Sequence, residues 1–178
     1  MYVEDEVFQA VYQHADASLR DAMDLAYLTG QRVGDVWSMD LRQVKPRGLA
    51  ITQAKSTNTV LMEITGELAT LLDRIARRKS EKLPNGRSKP YSTRLIVDDS
   101  GLALGRAALR YRFDKARDDA GIAKGEFQFR DLRAKACTDK ADSANDIREA
   151  QAQLVHSSVT TTEIYVRKER GSKATPTR

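Results

Sequence analysis

Apolar residues recur at helical spacing along most of this chain, and the period shortens to that of a strand mainly in one stretch. Leu19, Ala22, Met23 and Ala26 fall at i, i+3, i+4 and i+7, the core-facing stripe of an amphipathic helix over 17–29. Thr29-Gly30 closes that helix, because glycine accepts the left-handed conformation in which helices commonly end. Val3, Val7, Ala10 and Val11 predict an earlier helix over 4–15, and Val33 to Met39 a short third one with Val36 and Trp37 in the core. Two β-prone runs, Leu49 to Gln53 and Val60 to Ile64, flank a polar turn from Ala54 to Thr59 and predict a β-hairpin. From Gly66 the helical period returns through Leu68, Leu71, Leu72 and Ile75, until Pro84, Asn85, Gly86 and Pro90 interrupt it. Leu95-Ile96-Val97 reads as a short strand before a turn at Asp98 to Gly101. Helices follow over 105–120, 130–141 and 146–154, then a short one carrying Tyr165, with N-cap candidates between Ser157 and Thr162 and Glu163 in its first turn. The fold class is therefore α+β, mainly α-helical, with a small antiparallel β-hairpin or sheet.

At 178 residues the chain suits one domain with a proper core. No apolar run reaches the roughly 18 residues of a membrane helix, and Glu4, Asp5 and Glu6 stand where a secretory signal would be basic. A cytoplasmic protein with no membrane partner is expected. The single Cys137 cannot form an internal disulfide and reads as a small buried hydrophobe, and no Cys/His cluster has zinc-site spacing.

Charge changes the picture more. The net charge is +5, and residues 74–94 alone hold eight Lys/Arg against one acid. A patch of that density is the footprint of a polyanion partner such as a DNA backbone, with Arg77, Arg78, Lys79, Arg87, Lys89 and Arg94 as the candidate contacts. The plainer reading is a solvated loop.

Candidate chemistry lies in Leu154 to Arg167, LVHSSVTTTEIYVR, where His156 and Tyr165 stand nine residues apart across a Ser/Thr-rich turn. An imidazole N–H can bond a phosphoryl oxygen, and a phenol oxygen can attack phosphorus to form a covalent ester. Taken alone, such a pair is more simply a packed ring and a helix cap.

The stretch from Leu154 to Tyr165 resembles the end of the tyrosine recombinase (phage integrase) pattern, in which a Leu-Gly-His-Ser segment leads through threonines to a nucleophilic tyrosine. Phe129-Arg130-Asp131-Leu132-Arg133 is similar to that family's His-x-Leu-Arg box, and Thr29-Gly30-Gln31-Arg32 to the box of its first catalytic arginine. Three boxes in order, with Lys55 in the hairpin between the first two, cover about residues 5–168.

The resemblance implies a tyrosine recombinase catalytic-domain fold over 1–168, a polar tail at 169–178, and a fragment lacking the family's N-terminal core-binding and arm-binding domains. It also implies the roles. Tyr165 is the nucleophile that forms a 3′-phosphotyrosyl link, Lys55 protonates the departing 5′ oxygen, and His156, Arg32, Arg133 and Arg130 contact the phosphate. Asp35 helps hold the arginines. Neither metal nor nucleotide cofactor is implied, because the covalent intermediate stores the bond energy. Double-stranded DNA attachment sites are the implied partner, with a homotetramer on DNA for the full-length protein and a monomer for this fragment. Two positions depart from the pattern. Val155 replaces glycine, and Arg130 replaces histidine, so at neutral pH no ready acceptor for the tyrosine proton stands there. The alternatives are a type IB topoisomerase-like enzyme, disfavoured by the chain's size, and a DNA-binding module with impaired catalysis, which Arg130 would explain.

Overall fold

The computed structural model describes residues 2–53 and 59–144. Its first two helices are α1 (Asp5–His14) and α2 (Ala17–Thr29). The second is the centre of the packing. Leu19, Ala22, Met23, Leu25 and Ala26 are all buried, as are Ser18, Asp21 and Thr29, so α2 presents apolar surface on more than one side. Around it stand α3 (Val33–Ser38), α4 (Gly66–Ser80), α5 (Arg106–Asp119) and α6 (Asp131–Ala144), while α1 lies on α5. Asp16 starts α2 by accepting from the Leu19 amide at 2.9 Å, a cap whose loss typically costs about 1 kcal/mol. Gly30 ends it at φ 64°, its amide donating to Ala26.

The hairpin expected from the alternating runs is present and is part of a three-stranded antiparallel sheet. β1 (Val44–Lys45), β2 (Gly48–Thr52) and β3 (Thr59–Met62) pair in that order, with Leu49 opposite Met62 and Ile51 opposite Val60. Sequence reasoning missed β1, although Pro46-Arg47-Gly48 is a turn signal of the right kind. Gly48 is required there. Its φ is 142°, and a Cβ would run into the backbone carbonyl of Met62.

One element differs from expectation. Leu95, Ile96 and Val97 are all buried, yet they form no strand in a ladder. They pass through the core with a bend at Leu95-Ile96, held by single hydrogen bonds, Leu95 N–H to Met39 and Leu104 N–H to Ile96, and Val97 makes one isolated antiparallel bridge with Ala103. A continuous apolar run fits any buried segment, so periodicity alone does not say whether it pairs.

Beneath α4 lies an ion pair rather than more hydrocarbon. Arg78 donates from Nε to the Asp21 carboxylate at 2.8 Å and from Nη1 to Ser18 and to the Val97 carbonyl. Arg74 bonds the other Asp21 oxygen at 2.9 Å and Asp24 at 2.7 Å. This network ties α4 to α2 and to the 95–97 segment. Removing one partner of a buried pair strands a charge, which costs roughly 3–5 kcal/mol. Asp21→Ala is therefore expected to lower the unfolding free energy by about that amount. Asp21→Leu combined with Arg78→Met should lose clearly less, because no charge is then left buried. Urea unfolding of the three proteins measures both, and an Asp21→Ala curve that overlays the parent would refute the assignment.

Candidate active site

The site begins at the turn between α2 and α3. Gly30 reverses the chain in the left-handed conformation, and Arg32, extended at φ −68° and ψ 151°, is the N-cap residue of α3. The expectation that Arg32 starts just past a helix end holds. Its guanidinium is half-buried and donates from Nη1 to Oε1 of Gln53 at 2.9 Å. Gln53 Nε2 donates in turn to Gln31 Oε1 at 2.7 Å, and Gln31 Nε2 to the Thr29 carbonyl at 3.0 Å.

Arg133 reaches the same turn from the opposite direction. It lies in the first turn of α6, is 5% exposed, and donates from Nη1 to the Gly30 carbonyl at 2.7 Å. The start of α6 is set by aromatic packing, since Phe113 meets Phe127 and Phe129 edge-on at 5.0 and 5.5 Å between ring centres. Asp131 adds a local lock by accepting the Gln128 amide at 2.8 Å, and it puts a negative charge at the positive end of the helix. Arg130 and Arg133 are three positions apart, yet Arg130 is exposed while Arg133 is buried. Asp35, in the first turn of α3, is also buried.

A second anchor fixes the other side of α6. Lys135 is buried against Tyr2 and Tyr27, and its ammonium bonds Asp5 and, at 3.1 Å, Asp139. Burial acts to lower its pKa, but the bonds to Asp5 and Asp139 outweigh it and the net shift is upward. Tyr2 and Tyr27 donate to the two oxygens of Asp139 at 2.8 and 2.9 Å. Cys137 is buried as expected, and burial pushes its thiol up to about 11. A cleft of about 1030 Å³ near this anchor is lined by Tyr27, Val60, Met62, Leu68 and Asp139, and its lining includes none of Arg32, Gln53 and Arg133.

Of the residues singled out from sequence, the structure brings Arg32 and Arg133 to one turn, with Asp35 on the adjoining helix. Lys55, His156 and Tyr165 lie outside the described residues, as do the helices expected over 146–154 and around Tyr165 and the polar tail. Gln53 was missed. Its signal was there, because Leu49, Ile51 and Gln53 share one face of the strand path, and all three are buried. A polar residue in register with two core residues calls for a polar partner inside.

The basic segment bonds largely to the protein itself. Four of its six candidate DNA-binding residues are turned onto the protein itself. Arg78 holds Asp21, and Lys79 donates to the Ser92 and Arg94 carbonyls at 2.7 and 2.6 Å. The Lys89 side chain, 6% exposed, donates to the Arg78 carbonyl at 2.7 Å. Arg94 donates to the Ser38 carbonyl and lies 5.7 Å from the centre of the Trp37 ring. Burial lowers the pKa of Lys79, a further sign that it does not sit in open solvent. Arg77 and Arg87 are the two that remain exposed.

Among the described residues no His/Cys/Asp/Glu group has the arrangement of a metal site, and no helix is long and apolar enough to cross a membrane.

Comparison with known proteins points to one family. The chain is similar to tyrosine recombinase XerC of Roseiflexus sp. (strain RS-1), 24% identical over 157 residues, which cover 88% of this chain and 49% of that protein. Tyrosine recombinase XerD of Mycobacterium leprae (strain TN) is 26% identical over 148 residues, covering 82% and 46%. The chain thus spans about half the length of the curated relatives it matches. Its fold is that of the lambda integrase catalytic core, with a TM-score of 0.72, 21% identity, and coverage of 97% of this chain and 95% of that one. A lambda integrase dimer bound to a COC′ core site gives 0.80 at 21% identity, covering 99% and 51%. XerA recombinase gives 0.69 at 21% identity, covering 94% and 58%. Residues 2–171 match the phage integrase family, and with the match running from before the first arginine box to beyond Tyr165, the chain belongs to that family.

Proposed function

We propose that this chain is the catalytic domain of a site-specific recombinase of the prophage integrase type, which cuts and rejoins duplex DNA through a 3′-phosphotyrosyl intermediate. The observation that carries the reading is the convergence of Arg32 and Arg133 on the Gly30 turn within a family match that extends through Tyr165. Phosphoryl transfer needs little covalent help, so its catalysis rests on an in-line nucleophile and on charge stabilisation at the non-bridging oxygens. Two guanidinium groups held beside one turn suit that second task. By analogy with arginine fingers, such a group contributes on the order of 10³–10⁵ in rate.

In the proposed step the Tyr165 phenol releases its proton to solvent as its oxygen bonds the scissile phosphorus, while the bond from phosphorus to the 5′ oxygen breaks. Lys55 gives its proton to that leaving oxygen. His156 donates to a phosphoryl oxygen, Asp35 helps hold the arginines, and Arg130 contacts phosphate from the surface. Attack by the 5′ hydroxyl of a partner strand then reverses the step, and the energy of the broken bond is conserved in the tyrosyl ester, without metal or nucleotide.

Residues 1–168 form the catalytic domain in this reading, and 169–178 a polar tail. Lambda integrase has been solved as a dimer on a core site and as a tetramer on a Holliday junction. A comparable tetramer on attachment-site DNA is proposed for the full-length protein here, acting in the cytoplasm, with this domain alone a monomer.

Three measurements test the proposal. Tyr165→Phe is expected to abolish covalent attachment to a suicide DNA substrate while leaving DNA binding nearly intact, since only the phenol oxygen is removed. A covalent adduct in that variant would move the nucleophile elsewhere. For the basic segment, Arg77→Ala with Arg87→Ala should reduce the salt slope of DNA binding by about 0.9 for each phosphate no longer neutralised, without changing thermal stability. Lys89→Ala should instead lower the melting temperature, because its ammonium satisfies the Arg78 carbonyl. The reverse pattern would show that the inward-turned cations are the ones that bind DNA. At the departure from the family pattern, Arg130→His supplies a group titrating near about pH 6.5. Single-turnover cleavage by that variant is expected to gain a pH dependence between about 6 and 7.5. Profiles identical to the parent's would show that no proton is handled at this position.

A further inference from the structure

We infer that Gln53 is the positioning residue for Arg32, binding the end of the β2 path to the α2–α3 turn so that the guanidinium is held in one orientation. The inference rests on the proposed phosphoryl transfer and deepens it. Three observations carry it.

First, Gln53 and Gln31 are each 1% exposed, and the two amides bond in series from Arg32 to the Thr29 carbonyl. The series fixes the amide's orientation, since reversing the Gln53 amide would set its NH₂ against the guanidinium and its oxygen against the Gln31 oxygen. Second, the series crosses between elements far apart in sequence. It joins residues 29–32, where Arg133 also bonds the Gly30 carbonyl, to the strand end that lies two residues before Lys55. Third, the acceptor offered to Arg32 is a neutral amide. A carboxylate at that distance would hold the guanidinium more tightly, but it would compensate the positive charge that a phosphate needs. An amide fixes direction and leaves the charge intact. Arg32 has five N–H donors, of which the bond to Gln53 uses one. Gln53 touches neither phosphate nor nucleophile in this scheme, so it acts through Arg32.

A test has to separate positioning from mere structural support. Gln53→Met keeps the chain length and the apolar stem while removing the amide that joins Arg32 to Gln31. Suicide substrates are prepared with an ordinary phosphate or a methylphosphonate at the scissile position, the latter lacking the negative charge that Arg32 stabilises. Gln53→Met is expected to slow cleavage of the phosphate on the order of 10²-fold, the scale of a small misplacement at a reacting centre. It should slow the methylphosphonate far less, as Arg32→Ala should, and the double variant should be no slower than Arg32→Ala alone. Gln53→Glu should also fail selectively on the charged phosphate, now by neutralising the guanidinium. Equal slowing of both substrates by Gln53→Met, or additive losses in the double variant, would overturn the inference. A DNA-free measurement keeps it decidable apart from catalysis. Rotation about the guanidinium Cζ–Nη bonds of Arg32, followed by ¹⁵N NMR, should be slow in the parent and faster in Gln53→Met. An unchanged rate would also overturn the coupling. A parent chain that forms no adduct would sink the recombinase reading, while this rotation measurement still decides whether Gln53 holds Arg32.

Discussion

A helix buried on most sides must still satisfy its last carbonyls, and α2 does this where the chain turns at Gly30. The left-handed residue sends the backbone away from the helix axis, closes one bond back to Ala26, and leaves its own carbonyl pointing where a donor from another element can meet it. Arg133 is that donor. The carbonyl of the residue that ends α2 is thus met by a candidate site side chain, and the turn that finishes the central helix also sets where Arg133 sits. Arg32 follows two residues later, as the cap of α3, and inherits its position from the same turn.

The packing around α2 explains why this turn is stiff. Its neighbours attach by different means. α6 is held by the aromatic set around Phe113 at its start and by Lys135 with its carboxylates and tyrosines further along. α4 is held by two arginines on Asp21, and the sheet by Leu49 and Ile51 in the core with Gln53 at the end of the same face. Polar groups inside a protein are demanding, since each unsatisfied one there carries a large cost, but once satisfied they select one arrangement over near alternatives. The interior of this domain uses apolar residues for cohesion and charged or amide pairs for alignment.

Much of this was legible in the chain itself, for identifiable reasons. Gly30 was readable because few residues other than glycine end a helix so cheaply, and the helices around Leu19 and Leu68 because their apolar stripes are long. The arginine boxes were readable as a resemblance, not as geometry, and nothing in the sequence said that Arg133 would bond back to the turn that carries Arg32. Gln53 was overlooked because a polar residue next to a Lys-Ser-Thr-Asn turn looks like the turn's beginning, although its register with Leu49 and Ile51 placed it on the core face. Composition said least about side-chain placement in the basic segment over 77–94. Proline and glycine correctly excluded a helix or a strand past the end of α4, but counting charges does not tell where a four-carbon stem bends.

That last feature bears on how the domain tolerates change. Where α4 gives way to the loop, the tip of Lys79 in the helix closes the Ser92 and Arg94 carbonyls of the loop, and the tip of Lys89 in the loop closes the Arg78 carbonyl in the helix's last turn. An ammonium suits this use because it is small and turns its three donors freely, whereas a guanidinium is broad, flat and fixed in outline. Exchanging lysine for arginine at these positions would leave every count of charge untouched and still unfasten the loop, so substitutions that look mildest by charge are not mild here.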